Sequence, residues 1–377
     1  MMKLQEKQLV LKNSIDVYLT EIEHEKILIT FHRITTRDRI EIITNKLVAN
    51  FLSLLDGTKT IYEITQILSI NELHDQINSL VKFLYDNSLV VDSNNDRSMP
   101  RYERQIAYFD DMFLDISGMN SQKILEAKHI VFLGCGAFSA GLAELLVRTG
   151  VSSITLVDYK QIEEASLDRH LFARSYDIGN YKVDALSKYL QRINTNIKVI
   201  TYNEKILPHT DLSKFIPVSA DMVINGLDEP YIGHTSLKVG RFCQVLQIPM
   251  YVMGGFDAHL MSSGELIIPP KTPCIDCVQQ TFQISLKDWK PTYFSIQDSR
   301  SNRDLSVKPD KVNKIGWAGG IAGMSAFSSY FSSFNILNFL ISGAVEDKTT
   351  RYEYLLNEGT LTKFEVKHQL GCEVCGG

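Results

Sequence analysis

The sequence predicts an α/β protein in which a doubly wound, mostly parallel sheet follows a small α+β domain with the outline of a winged helix-turn-helix. Three observations carry this. Beyond residue 100, strand-like and helix-like segments alternate, which argues for a parallel sheet with helices on both faces. Before residue 93, three β-branched runs precede three amphipathic helices. Between them lies DSNNDRSMP (residues 92–100), polar, turn-rich and ending in Pro100. The expected division is a domain over 1–92, a linker over 93–100 and a second domain over 101–377, and 377 residues suit two domains.

In the first domain, SIDVYLTEI, KILITFH and RIEIITN read as strands from their β-branched content. LVANFLSLLDG has helical spacing, with Gly57 as its expected stop. Thr60 with Glu63 three residues on is a capping-box pattern that opens IYEITQIL. LHDQINSLVKFLYDNSLVV reads as a third helix running into a short strand. A winged helix invites a DNA-binding reading, but residues 1–95 hold 10 Lys and Arg against 13 Asp and Glu. A DNA reader needs a basic face. The whole chain agrees, with 39 basic and 44 acidic residues and a net charge of −5, so no nucleic-acid partner is expected.

In the second domain the alternation runs HIVFLG, a helix through Val147, SITLVD, a helix from Val183 to Ile193, KVITYN, DMVING, a helix from Thr235 to Leu246, and PMYVMGG. Lys287 to Lys314 is polar and irregular, a candidate lid. Ile315 to Val345 carries no charge and is long enough to span a bilayer. Its many Ser and Asn residues, such as Ser325, Ser329 and Ser332, are costly against lipid and suit a buried helix or interface. No membrane partner is expected. MMKLQEKQLV lacks the basic-then-apolar run of a signal peptide, so the expected location is the cytoplasm.

Two patterns carry chemistry. In HIVFLGCGAFSAG a strand runs into Gly134 and Gly136 and a helix follows, with Asp158 ending the next strand. Such a Rossmann-like turn lets backbone approach phosphate at a helix N-terminus, and the acid can bind ribose hydroxyls. Ser139 stands where the dinucleotide fingerprint has its third glycine. The second pattern is Cys274-x-x-Cys277 with Cys372-x-x-Cys375. Four thiolates make a closed tetrahedral Zn²⁺ site, here one that ties the C-terminal tail to the core. Cys135 and Cys243 read as buried, inert thiols.

RYERQ, the glycine turn, LVDYKQIEEASLDRH, DIGNYK, NGLDE and CIDC…CEVC stand in the order seen in ThiF/MoeB/HesA enzymes, adenylating relatives of ubiquitin-activating enzymes. Residues 101–377 resemble that family. LLDG-T-K-T-I-x-E-I, closed by a helix and L-V-V, resembles PqqD-like domains, which take a leader peptide as an added strand at a sheet edge. Together the two resemble the subgroup that matures peptide natural products such as microcin C7 and pantocin A. The resemblance implies an adenylyltransferase that uses ATP and Mg²⁺ on a ribosomal precursor peptide.

Adenylation brings a carboxylate oxygen onto the α-phosphorus and expels pyrophosphate, so cations must surround the triphosphate. The family pattern assigns that work to Arg169, of N-L-x-R-Q, and Lys182, of G-x-x-K. Asp228 matches the Mg²⁺ ligand, although by itself it also reads as a helix N-cap. Arg104 matches a residue that crosses from the partner subunit of a homodimer to contact phosphate. Gly134, Gly136, Ala137, Ser139, Asp158 and Ser166 complete the expected nucleotide site.

Ser166 and His170 replace the family Asn and Gln, and Ala137 and Ser139 replace glycines. His170 reads either as a proton carrier near neutral pH or as a satisfied structural histidine. The departures at Ser166 and His170 favour pantocin-type activation of a Glu side chain, with dehydration and ring closure, over microcin-type N–P bond formation at the peptide C-terminus. No cysteine occurs from Val278 to Gly371, which argues against thioester relay. A non-catalytic leader-binding subunit and an activator of a ubiquitin-like sulfur carrier remain as alternatives.

Overall fold

In the computed structural model, residues 5–23, 26–93, 99–229, 231–255, 261–285 and 320–376 are described. The candidate lid at Lys287–Lys314 lies outside them, as do residues 315–319 of the uncharged stretch.

Strand β1 (Gln8–Leu11) precedes an antiparallel meander of β2 (Ile15–Glu23), β3 (Lys26–Arg33) and β4 (Arg39–Asn45). Burial alternates along β3, where Ile27, Ile29 and Phe31 enter the core, as expected of a sheet with one wet face. Helix α1 (Lys46–Ser53), strand β5 (Asp56–Thr60), helices α2 (Ile61–Ile67) and α3 (His74–Asp86) and strand β6 (Val90–Asp92) follow. The core joins Ile29, Phe31, Phe51, Ile61, Ile64, Val81 and Leu84, uniting the meander with the three helices.

The meander and three helices match the sequence reading, whereas β1 and β5 were not anticipated. DGTKT is a strand only because β1 pairs with it, on the side opposite β6. Helix α1 therefore ends at Ser53 rather than Gly57. Gly57 lies within β5 at φ +79°, where a Cβ would sit 2.9 Å from that of Ser93. The capping box at Thr60 is formed: its hydroxyl accepts from the Glu63 N–H at 3.2 Å, and Glu63 accepts from the Thr60 N–H at 2.7 Å.

The chain divides between Ile124 and Leu125, C-terminal to the polar 93–100 segment. Helix α4 (Glu103–Met112) lies with the first unit because Lys12 Nζ donates to the Asp110 carbonyl at 3.0 Å. The Ser14 and Thr35 hydroxyls donate to the buried Asp111 carboxylate at 3.0 and 2.6 Å. Helix α5 (Gly118–Glu126) runs across the division.

The second unit is built on β7 (His129–Leu133), α6 (Ala137–Arg148), β8 (Ser153–Val157), α7 (Lys182–Ile193) and β9 (Lys198–Tyr202). It continues with β10 (Met222–Asn225), α8 (Ile232–Leu246), β11 (Met250–Val252) and β12 (Glu265–Ile267). Helices α9 (Ile275–Ser285) and α10 (Ala322–Ser342) and a hairpin of β13 (Thr349–Leu355) and β14 (Thr360–Val366) complete it. The sheet order is β12-β11-β10-β7-β8-β9, parallel throughout except at β12. Strands β7, β8, β10 and β11 are buried nearly end to end, as helices on both faces require.

Strand β12 and the hairpin were not read from the sequence. Arg351 of β13 holds them together, donating to Glu265 at 2.8 Å and pairing with Glu353 at 2.5 Å. Helix α10 turns its serines inward: Ser329 Oγ donates to the Phe138 carbonyl and Ser332 Oγ to the Ser263 carbonyl, both at 2.8 Å. A Cβ on Gly141 of α6 would come 2.8 Å from Ser329 Oγ, so the small residues let α6 and α10 approach closely. Among the described residues, no helix is long and apolar enough to cross a membrane.

Candidate active site

Strands β8 and β9 lie on one side of β7, and β10 and β11 on the other, so the connections diverge at β7 and open a crevice beyond the strands' C-terminal ends. A cleft of about 730 Å³ occupies that position. Its lining comes from the turn after β7, the segments after β8, β9, β10 and β11, and the start of α10.

Gly134 adopts φ +89°, and a Cβ there would lie 2.8 Å from the Gly226 backbone, so two strand ends approach closely at this point. Gly136 caps α6 without any side-chain hydrogen bond, and a Cβ on it would meet nothing within 4 Å. Among the described residues no N-cap side chain takes the first N–H groups of α6, and an anion is what a helix N-terminus favours. Ser139, in place of the fingerprint glycine, is accommodated because its hydroxyl sits over Gly226, where any Cβ would collide with it. Gly134, Gly136, Ala137 and Ser139 all line the cleft.

Asp158 is buried, and its two carboxylate oxygens accept from the N–H groups of Cys135 and Lys160, each at 2.8 Å. It therefore holds the glycine turn in shape and keeps lone pairs for a ligand hydroxyl. Lys182 opens α7, where a cation opposes the helix dipole. Burial, then Lys160, pulls its pKa below the usual lysine value, and Asp158 opposes that shift. Arg169 is half-exposed, with a contact to Asp168 at 3.6 Å and a weak bond to the Ala165 carbonyl at 3.2 Å. Both cations and Asp228 line the cleft.

Asp228 does not cap α8, since Tyr231 is the N-cap. Its carboxylate is 77% exposed after β10, a hard oxygen donor able to hold Mg²⁺ beside phosphate. Ser166 stands behind the lining: it is buried and accepts from the Glu163 N–H at 3.1 Å, closing its own short turn. Arg104 is exposed on α4 and does not line the cleft.

The sequence reads His170 as either a proton carrier or a structural histidine. It lines the cleft, is 5% exposed and stacks on Phe172 at 5.7 Å and 12°. Its Nδ1 is buried with no hydrogen-bond partner among the described residues. Burial, then Lys182, Arg169 and Lys160, lowers its pKa to about 3, so the ring is neutral near pH 7. The sequence reading missed Tyr159, Lys160, Lys205 and Glu229, which also line the cleft. Lys160 lies two residues past Asp158 and Glu229 directly follows Asp228, a signal open to a reading of strand ends.

Away from the cleft, all four sulfurs of Cys274, Cys277, Cys372 and Cys375 lie within 4.8 Å of one another. Three of the separations are 3.8, 3.6 and 3.5 Å. A tetrahedron with Zn–S of about 2.3 Å has edges of roughly 3.8 Å, so the set fits zinc. The Gln369 N–H points at Cys277 Sγ at 3.4 Å, and Arg241 forks onto Asp276 between the first pair, at 2.6 and 3.1 Å. Cys135 and Cys243 are buried, as expected.

The chain is 26% identical over 211 residues to the adenylyltransferase and sulfurtransferase MOCS3 of Culex quinquefasciatus, covering 55% of this chain and 44% of that protein. It is 26% identical over 236 residues to the DNA damage tolerance protein RHC31 of Saccharomyces cerevisiae, covering 57% and 63%. It thus spans less than two-thirds of the length of these relatives. E. coli MccB crystallised with AMPCPP and MccA matches with a TM-score of 0.69 at 18% identity, over 98% of this chain and 99% of that one. PaaA matches with a TM-score of 0.64 at 18% identity, over 94% and 99%. At such identities the structural likenesses establish a shared fold. A model of the ThiF family matches residues 102–373, most of the chain, and the glycine turn, Arg169, Lys182 and Asp228 fall within it: the chain belongs to the ThiF family.

Proposed function

We propose that this protein is an ATP-dependent enzyme that matures a ribosomally made precursor peptide, with the first unit binding the leader and the second adenylating a carboxylate of the attached core. The observation that carries the reading is the cleft, which combines an open helix N-terminus, Arg169, Lys182 and an exposed Asp228. These are the parts that an attack on a nucleotide α-phosphorus needs. The carboxylate oxygen forms the new P–O bond as the bond to pyrophosphate breaks. Arg169 and Lys182 neutralise the charge that develops on the departing group. Asp228 would hold Mg²⁺, which supplies charge neutralisation at the phosphates. Arg104 reaches the phosphates from the partner subunit of a homodimer, and the four cysteines hold structural zinc. The location is the cytoplasm.

Support for the leader comes from the first unit, where β2 and β4 each pair only with β3 among the described residues. Their outer edges offer free backbone groups to an added strand. Further support is the likeness of nearly the whole chain to MccB, crystallised with MccA. Activation of a Glu side chain, as the pantocin-type pattern implies, accords with the departures at Ser166 and His170. The names of the MOCS3 relatives favour a second reading, activation of a sulfur-carrier protein. Removing residues 1–92 separates the two, because only the sulfur-carrier activity survives that loss.

The direct test is ATP–pyrophosphate exchange with and without a precursor peptide encoded beside the gene, with Asp228→Ala as control and single-turnover AMP release in the same samples. Peptide-dependent exchange or AMP release, lost in the variant, is the expected result. Absence of both while the peptide still binds overturns the enzymatic reading and leaves a leader-binding subunit.

A further inference from the structure

Four residues in the cleft form a cluster that the family pattern does not assign. Lys160 and Lys205 reach it from the ends of β8 and β9 and share one carboxylate, Glu229, which follows β10. Lys160 Nζ lies 2.8 Å from Glu229 Oε1 and 3.8 Å from Asp228. Lys205 Nζ lies 3.3 Å from Glu229 Oε2, which also accepts from the Tyr159 hydroxyl. The same ammonium stands 4.6 Å from the centre of the Tyr159 ring.

These pairs are half-exposed, with Lys160 at 36%, Glu229 at 43% and Lys205 at 46%. Exposed pairs of this kind are weak and exchangeable. A triphosphate carries far more charge than one carboxylate and offers more acceptor oxygens, so it displaces Glu229 from both ammonium groups. The arrangement also answers a charge imbalance. Without Lys160 and Lys205, the cleft sets two cations, Arg169 and Lys182, against the acids Asp158, Asp168, Glu204, Asp228 and Glu229. That balance alone repels a polyphosphate.

We propose that Lys160 and Lys205 are triphosphate-binding residues, and that Glu229 holds their ammonium groups when no nucleotide is bound and competes with the nucleotide for them. The proposal rests on the reading that a nucleotide fills this cleft. It predicts an unusual sign: loss of a cleft carboxylate improves nucleotide binding. It also predicts that the effect belongs to the β- and γ-phosphates, so AMP is indifferent to it.

The test uses the full-length protein and measures the Kd of ATP and of AMP by calorimetry, once with Mg²⁺ and once in EDTA. Melting curves of each variant check that it is folded. Glu229→Gln is expected to tighten ATP binding by about three- to tenfold in both conditions, the scale of one or two half-exposed ion pairs. Lys160→Met and Lys205→Met each weaken ATP binding by about tenfold or more, as loss of a charge-assisted phosphate contact does. Lys160→Arg retains most of it, and AMP affinity shifts by less than about twofold throughout. In the pair Lys160→Met/Glu229→Gln the gain from Glu229→Gln shrinks, because its competitor is partly gone.

A folded Glu229→Gln protein that binds ATP no better than wild type overturns the proposal. Weakening confined to the Mg²⁺ condition does so too, since it makes Glu229 a metal ligand. A wild-type protein that binds neither nucleotide overturns the functional reading itself, and this proposal with it.

Discussion

His170 lowers the acid stability of the second unit. In the folded chain it is 5% exposed, beside Lys182, Arg169 and Lys160, with a pKa of about 3 against 6.5 for a free imidazole. At pH 7.5 both folded and unfolded chains carry it neutral, and it contributes no pH dependence. As pH falls below 6.5 the unfolded chain takes a proton that the folded chain refuses, so stability declines until about pH 3 and then levels. At 1.36 kcal/mol per unit, the loss is about 2 kcal/mol by pH 5 and about 5 kcal/mol over the whole window. Gln at this position does not titrate. Urea unfolding of wild type and His170→Gln, followed by far-ultraviolet circular dichroism at pH 7.5 and pH 5, isolates the term because all other groups cancel in the difference. The variant is expected to gain about 2 kcal/mol on wild type between the two pH values. Parallel behaviour of the two proteins refutes the reasoning: it means that the folded state admits the proton, by turning the ring outward or by finding Nδ1 a partner.

Further outcomes follow from other contacts. Arg351→Met takes the cation away from the buried Glu265 and the partly buried Glu353, and should cost about 3–5 kcal/mol in unfolding experiments. Gly226→Ala drives a methyl into the Ser139 hydroxyl and should lower stability by about 1–3 kcal/mol, with Ser139→Gly as a second change restoring most of it in thermal melts. Cys372→Ser with Cys375→Ser removes two of four sulfur donors, so metal analysis should find zinc in the wild type and not in the variant, with faster proteolysis of the C-terminal tail. Asp228→Ala should bind ATP in EDTA at least as tightly as wild type while losing the gain that Mg²⁺ gives, read by calorimetry.

What was legible in the sequence follows from how local each signal is. A buried parallel strand announces itself by its own residues, so HIVFL, SITLV and MVIN were readable, and the glycine turn marked where the cleft opens. The same holds for Thr60 and Glu63, whose mutual bonds span three residues. DGTKT carries no such signal, because its strand character belongs to the pairing with β1, about fifty residues upstream. Strand β12 is three residues long and depends on a cation at Arg351 that no local window contains.

The cleft shows the same division at the level of chemistry. Family motifs marked single residues, and the fold gathers most of them: Asp158, Arg169 and Lys182, from the segment after β8, meet Asp228, from the end of β10, at one crevice. The relations between residues were hidden. Ser139 looked like a lapse from the glycine pattern, yet Gly226 supplies from β10 the space that the lost glycine would have given. Lys160, Lys205 and Glu229 are unremarkable charges in sequence and become a cluster only where β8, β9 and β10 end side by side. The effect of a substitution at one motif position therefore depends on the residue that faces it across the sheet. Ser166 illustrates the converse. It falls on the motif yet spends its hydroxyl on its own turn. His170, beside the same turn, lines the cleft with a ring nitrogen that has no hydrogen-bond partner among the described residues.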